Sequence, residues 1–208
     1  MDQAELAQKL EQYKRAHEAS PRGAAVLIPL LNINADPSVL LEVRAASLPV
    51  QPGEVCLPGG HIEPGESPRD AAIRETCEEL LVSPSQIEVI GSMGAQPGPG
   101  GQQLYVYVGT LNGYEGSFSS GEVERTFTLP VEWLATHKPR FYEVSMQPEY
   151  PRDFPWELVP NGRNYAWRAQ KHSVPFYHGT DPVVWGATAR ILARFAEVWE
   201  TSENPTPR

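Results

Sequence analysis

The stretch GHIEPGESPRDAAIRETCEELLV, residues 60–82, sets Gly60, Glu66, Arg74, Glu75, Glu78 and Glu79 in a fixed register. Glu75, Glu78 and Glu79 fall at helical spacings of three and four, which predicts that they share one face of a helix and project together. Like charges crowded in this way repel. A solvated helix gains nothing from them, whereas a hard divalent cation such as Mg²⁺, which takes oxygen ligands, does.

The same stretch carries its own punctuation. Pro64-Gly65 is a turn signal before the helix. Ser67 is the expected N-cap, Pro68 suits the first helical position, and Asp70 stands three residues after the cap, as the acid of a capping box does. Pro84 marks the far end. Ala72, Ile73, Thr76, Cys77 and Leu80 form a second, mostly apolar face suited to packing on a sheet. Arg74 precedes Glu78 by four residues and is placed to reach back to Glu66, bracing the loop against the helix.

This pattern resembles the Nudix box: glycine, five residues, glutamate, seven residues, arginine-glutamate, an aliphatic residue, any residue, two glutamates, any residue, glycine, aliphatic. The glycine and charged positions match in register, and Val82 matches the last aliphatic. Thr76 departs from an aliphatic position, and Leu81 stands where the family has glycine, the usual left-handed helix stop. Leucine is sterically costly at positive φ, so the helix is expected to end differently, running on to Ser83-Pro84. The resemblance implies an α/β fold, an α/β/α sandwich around a mixed β-sheet. It also implies hydrolysis assisted by Mg²⁺ or Mn²⁺ on Glu75, Glu78 and Glu79, with a Gly59 or Gly60 carbonyl as a further oxygen. Glu66 and Arg74 then brace the loop and orient the ligands. The general base stays open among Glu75, Glu122 and Glu124. His61 is either a phosphate or water contact or an ordinary exposed histidine.

Upstream, LLEVRAASLPVQPGEVCLPGG, residues 40–60, resembles the signature of the coenzyme A pyrophosphatase branch of the family. Leu40, Leu41, Arg44, Ala45, Gly53, Pro58, Gly59 and Gly60 match it, while Glu42, Pro49 and Leu57 replace a threonine, an arginine and a phenylalanine. Arg44 is the candidate for holding a substrate phosphate through its planar fork, with an ion pair at a strand end as the alternative. FYHGTDPVVWGATARIL, residues 176–192, resembles the aromatic segment and helix of the same branch. There, Trp185 is expected in the core.

Outside these segments, strands are expected over 24–31, 39–44, 54–57, 87–93, 103–111, 125–129 and 173–177, with helices over 2–18, 131–136 and 181–199. Asp181 and Pro182 read as the cap and first turn of the last helix. Residues 1–22 thus form an N-terminal helix, 23–200 a Nudix domain with an irregular insertion over about 138–170, and 201–208 a disordered tail. Tyr142, Tyr150, Phe154, Trp156, Tyr165 and Trp167 either line a ligand pocket or pack the insertion. His17, His137, His172 and His178 lack metal-ligand spacing.

A net charge of −9 with no basic block excludes free nucleic acid as a partner, and no apolar run is long enough to span a membrane. Two cysteines, Cys56 and Cys77, read as small buried hydrophobes of a reducing, cytoplasmic compartment. The expected partner is a small nucleotide of the coenzyme A class; a homodimer is left open. The branch implies cleavage of the diphosphate to 3′,5′-ADP and 4′-phosphopantetheine or its acyl form. The alternatives are another nucleoside diphosphate derivative, such as ADP-ribose or a dinucleotide, and a non-catalytic binding module.

Overall fold

The computed structural model describes residues 23–32, 35–98, 101–167 and 170–203. The helix expected over 2–18 lies outside them. Strand β1 (Gly23–Leu31) is a continuous apolar run buried on both faces, as a central strand must be. It pairs in parallel with β6 (Gln103–Leu111) along its whole length. Its other edge is shared by β2 (Ser38–Arg44) at one end and β4 (Gly59–His61) at the other, both antiparallel. Beyond β2 lie β3 (Val55–Cys56) and β7 (Val123–Pro130), and beyond β6 lies β5 (Ile87–Pro97).

The period of two along β1 sends alternate side chains to opposite layers. Ala25 meets Ala71 and Ala72 of helix α1 (Pro68–Leu80). Val26, Ile28 and Leu30 meet Val131 and Leu134 of α2 (Val131–Thr136), and Ile191, Leu192 and Phe195 of α3 (Gly186–Glu203). Helices thus cover both faces of a mixed sheet, the α/β/α sandwich that was expected. None of the described helices is long and apolar enough to cross a membrane.

Helix α1 begins as its sequence requires. Ser67 Oγ accepts the Asp70 N–H at 3.2 Å and donates to the Asp70 carboxylate at 2.7 Å. Thr76, the polar intrusion on the apolar face, is buried but satisfied, since its hydroxyl donates to the Ala72 carbonyl at 2.6 Å. The C-terminus corrects an expectation. Leu81 adopts φ 53°, ψ 44°, the left-handed stop normally given to glycine, and the helix does not run on. Its side chain stays largely exposed. The closing carbonyls find donors in a loop 40 residues on: Ser117 Oγ donates to Leu80 O and Ser119 N–H to Glu79 O, both at 2.7 Å. These bonds need the chain to turn here, and they hold the leucine where it is strained.

Four further expectations change. Residues 138–170 are not irregular throughout, because β8 (Arg140–Met146) pairs antiparallel with β9 (Gln170–Phe176) as a separate two-stranded sheet. Every β8 residue is exposed, so no one-sided burial marks its sequence as a strand. Helix α3 begins at Gly186 rather than Asp181. Before it, Tyr177 N–H donates to Val184 O and Trp185 bridges Phe176, so this segment extends β9 instead of coiling. Trp185 is consequently not core; it stacks on Phe176 at 5.4 Å and stays partly exposed. At its far end α3 reaches Glu203, past the start of the expected tail.

Candidate active site

Arg74 is the hub of the loop–helix junction. Its Nε and Nη2 donate to the two oxygens of Glu66 at 2.9 and 3.1 Å, while Nη2 also reaches the His61 carbonyl. Nη1 donates to Glu75 at 2.9 Å and to Glu78 at 3.2 Å. Glu66 also accepts the Glu63 N–H at 3.0 Å. The Arg74 hydrogen bonds hold the Glu66 carboxyl below the usual carboxylate range. One guanidinium thereby ties the loop, the helix and the Glu75 carboxylate together.

Most of the other sequence-designated residues converge. A cavity of about 770 Å³ is lined by Gly59, Gly60 and His61 from β4, Glu75 and Glu79 from α1, Arg44 from β2, and Glu122. Glu79 Oε2 accepts the Gly59 N–H at 2.7 Å. A Cβ at Gly60 would lie 2.5–2.6 Å from the Glu75 carboxylate, so only glycine lets the strand pass this close to the helix. Glu122 arrives by pairing: β7 runs against β2, and Ala45 N–H donates to the Glu122 carbonyl at 2.8 Å. Glu124, the other candidate in this segment, is not on the cavity wall.

Glu78 departs from the expected common face. It lies off the wall, its side chain 56% exposed and tied to Arg74. Successive helical residues are rotated by about 100°, so Glu78 and its neighbour Glu79 cannot point the same way. Among the described residues, no three His, Cys, Asp or Glu side chains close on one cation position. The oxygen-rich wall formed by Glu75, Glu79 and Glu122 nonetheless suits a hard cation.

Sequence reasoning missed Glu42 as part of this region. It is 1% exposed, lies against Glu79, and its Oε1 accepts a hydrogen bond from the Cys56 thiol at 3.3 Å; its Oε2 has no partner among the described residues. Burial pushes its carboxyl up to about 7. Burial first, and the nearby Glu42 second, push Glu79 up as well. Two carboxyls in one dry space resist ionising together, and a cation beside them removes that penalty. The signal was visible: a lone acid inside the apolar strand SVLLEVR, at a position where the branch signature has threonine. Cys56 and Cys77 are both free thiols.

A second cavity, of about 430 Å³, adjoins the first, and Arg44, Gln51, Gly59 and Gln102 belong to both walls. Its far side is built from β9 and the start of α3. The aromatic cluster of the insertion lies elsewhere. Tyr150, Phe154, Trp156 and Trp167 pack on one another, and none of them lines either cavity.

The NUDIX domain model matches residues 21–148, more than half of the chain. An uncharacterized Nudix hydrolase NudL of Photorhabdus laumondii is 29% identical over 179 residues, covering 85% of this chain and 84% of that protein. The peroxisomal coenzyme A diphosphatase NUDT7 of Mus musculus is 30% identical over 174 residues, covering 83% of this chain and 68% of that protein. Nudix hydrolase 3 of Caenorhabditis elegans is 35% identical over 118 residues, 53% of this chain and 48% of that protein, so the chain matches about half of that relative's length. Among solved structures, a C. elegans Ap4A hydrolase is 26% identical with a TM-score of 0.45, covering 52% of this chain and 80% of that one. The chain belongs to the Nudix family and is a hydrolase of that family.

Proposed function

We propose that this chain hydrolyses the diphosphate of coenzyme A or its derivatives, releasing 3′,5′-ADP and 4′-phosphopantetheine or its acyl form. The carrying observation is the cavity that joins Glu75, Glu79 and Glu122 to Arg44, the arginine of the upstream signature. The mouse relative, named as a coenzyme A diphosphatase, favours the same substrate class.

Glu79 and Glu75 are the residues that would hold Mg²⁺ or Mn²⁺, with a Gly59 or Gly60 carbonyl as a further oxygen. A divalent ion supplies charge neutralisation for the diphosphate and activation of water. Glu78 would have to leave both Arg74 and the helix face it now occupies to join them, and the exposed i,i+4 pair itself is worth only about 0.3–0.5 kcal/mol. Arg74 keeps Glu75 oriented from behind. Arg44 sits where it can hold a non-bridging phosphate oxygen, and His61 where it can meet the same group. The water oxygen attacks one phosphorus, the bridging P–O bond breaks, and the water proton passes to Glu122 or Glu75. Glu122→Gln and Glu75→Gln separate those two by which one flattens the acid limb of the rate–pH profile. The two free thiols fit a reducing compartment, and we place the protein in the cytoplasm.

The test is product chromatography after incubation of coenzyme A, acetyl-coenzyme A, dephospho-coenzyme A, ADP-ribose and NADH with protein and Mg²⁺ or Mn²⁺. Metal-dependent release of 3′,5′-ADP supports the reading. Cleavage of ADP-ribose alone overturns the substrate class.

A further inference from the structure

The second cavity is not lined by Glu75, Glu79 or Glu122 and has a different character. Its walls carry the guanidiniums of Arg44 and Arg190 and the imidazole of His172, with the Trp185 ring at the side. Neither arginine has a carboxylate partner within ion-pair distance among the described residues. Glu54 is the acid on this wall, and its carboxylate accepts a hydrogen bond from Gln51 at 3.1 Å. In a chain of net charge −9, two arginines meeting one acid in a concave space is an arrangement that favours an anion.

Arg190 is also held in place before any ligand arrives. Its Nη2 donates to the Ser173 carbonyl, and its guanidinium lies 5.9 Å from the centre of the Phe141 ring. Arg44 Nε donates to the Val50 carbonyl at 3.3 Å. Each guanidinium has five N–H donors, so most remain free. Donors fixed in advance cost little ordering on binding.

Because Arg44, Gln51, Gly59 and Gln102 belong to both cavities, a single extended ligand can occupy both. Resting on the diphosphohydrolase reading of the first cavity, we propose that the second is the subsite for a phosphate monoester carried on the nucleoside end of the substrate. Arg190 holds the monoester, Arg44 on the shared wall stays with the diphosphate, and Trp185 flanks the nucleoside. The preferred substrate then bears three phosphates in two places: a diphosphate at the carboxylates and a monoester at Arg190. Arg190 and His172 both lie outside the 60–82 box and the 40–60 signature, although Arg190 belongs to the 176–192 segment. They reach the cavity through β9 and the first turn of α3.

The test compares equilibrium binding of adenosine 3′,5′-bisphosphate and adenosine 5′-monophosphate by titration calorimetry in Mg²⁺, for the wild type, Arg190→Gln and Arg190→Lys. The wild type is expected to bind the bisphosphate at least about 10-fold more tightly, the factor that a charge-assisted hydrogen-bond pair supplies. Arg190→Gln brings that ratio near one while leaving the monophosphate affinity unchanged, which also shows that the variant is folded. Arg190→Lys retains part of the ratio. A wild-type ratio near one, or an Arg190→Gln protein that weakens both ligands equally, overturns the subsite. Turnover of coenzyme A against dephospho-coenzyme A keeps the two readings apart. Coenzyme A cleavage with a binding ratio of one sinks the subsite alone. A high ratio without coenzyme A cleavage supports the subsite and sinks the substrate assignment.

Discussion

Glu42 and Glu79 lie against each other and are both buried, and their energetics turn on how many protons they hold. Both are raised above the ordinary carboxylate value of 4.5, chiefly by burial. The fold therefore keeps protons that the unfolded chain releases, and the associated stability is complete below about 4.5 and lost as pH rises through about 7 for Glu42 and about 9 for Glu79. The metal-free protein should lose several degrees of Tm between pH 5 and pH 8, measured by calorimetry in chelator, and Glu42→Gln should flatten that fall. Glu79→Gln should cost activity by on the order of 100-fold or more, since even residues that merely orient metal ligands are worth about 10–100-fold. Its Tm at pH 8 should not fall, because the amide stands in for the neutral carboxyl the fold prefers. Retained activity in this variant would sink the metal assignment. Glu79 was legible from the sequence because it belongs to a charged register. Glu42 was visible as a lone acid in an apolar strand, but that it pairs with Glu79 shows only in the fold, which buries the two together.

At the level of elements, the end of α1 sets a measurable strain. A left-handed non-glycine residue costs about 1–2 kcal/mol, while glycine adds about 0.5–1 kcal/mol of unfolded-chain entropy. Leu81 buries little at that position. Leu81→Gly should therefore stabilise the protein by roughly 0.5–1 kcal/mol in urea unfolding, whereas Leu81→Ala, equally strained, should not. At the other end, Ser67→Ala should destabilise by about 1 kcal/mol through loss of the N-cap. The start of α1 was legible because capping is local chemistry. Its stop was not, because Ser117 and Ser119, which satisfy the last carbonyls, come from a distant loop. The same reason hid the start of α3: Asp181-Pro182 reads locally as a helix entry, but pairing with β9 claims the residues that follow. Strand β5 outran its expected end because register shifts at Val89/Gly91 and Ser92/Gly94 carry pairing past two glycines to Pro97.

Across the whole molecule, the sheet order brings together residues that are far apart in sequence. Arg44, Glu79 and Glu122 meet because β2 lies between β1 and β7, and α1 packs across β1 and β4. The alternation of apolar strands with two-faced helices made this layer arrangement legible, and the charged register made the carboxylates legible. The second cavity was not, since its far wall depends on where β9 and α3 start. If the carboxylates hold a divalent ion, Mn²⁺ at a hundredfold excess over its Kd adds about 2.7 kcal/mol of stability. That should raise Tm by about 5–10 °C for a chain of this size, and Glu79→Gln should abolish the rise in a thermal melt. Parallel pairing of β1 with β6 also has a consequence in time. During synthesis, the most apolar strand of the sheet emerges first and cannot complete its pairing until Leu111 has been added, 80 residues after Leu31. At about 5–20 residues per second, β1 waits roughly 4–16 s with one hydrogen-bonding edge open. The newborn chain is thus most exposed to aggregation, and most dependent on chaperones, in the interval before its central strand finds its neighbour.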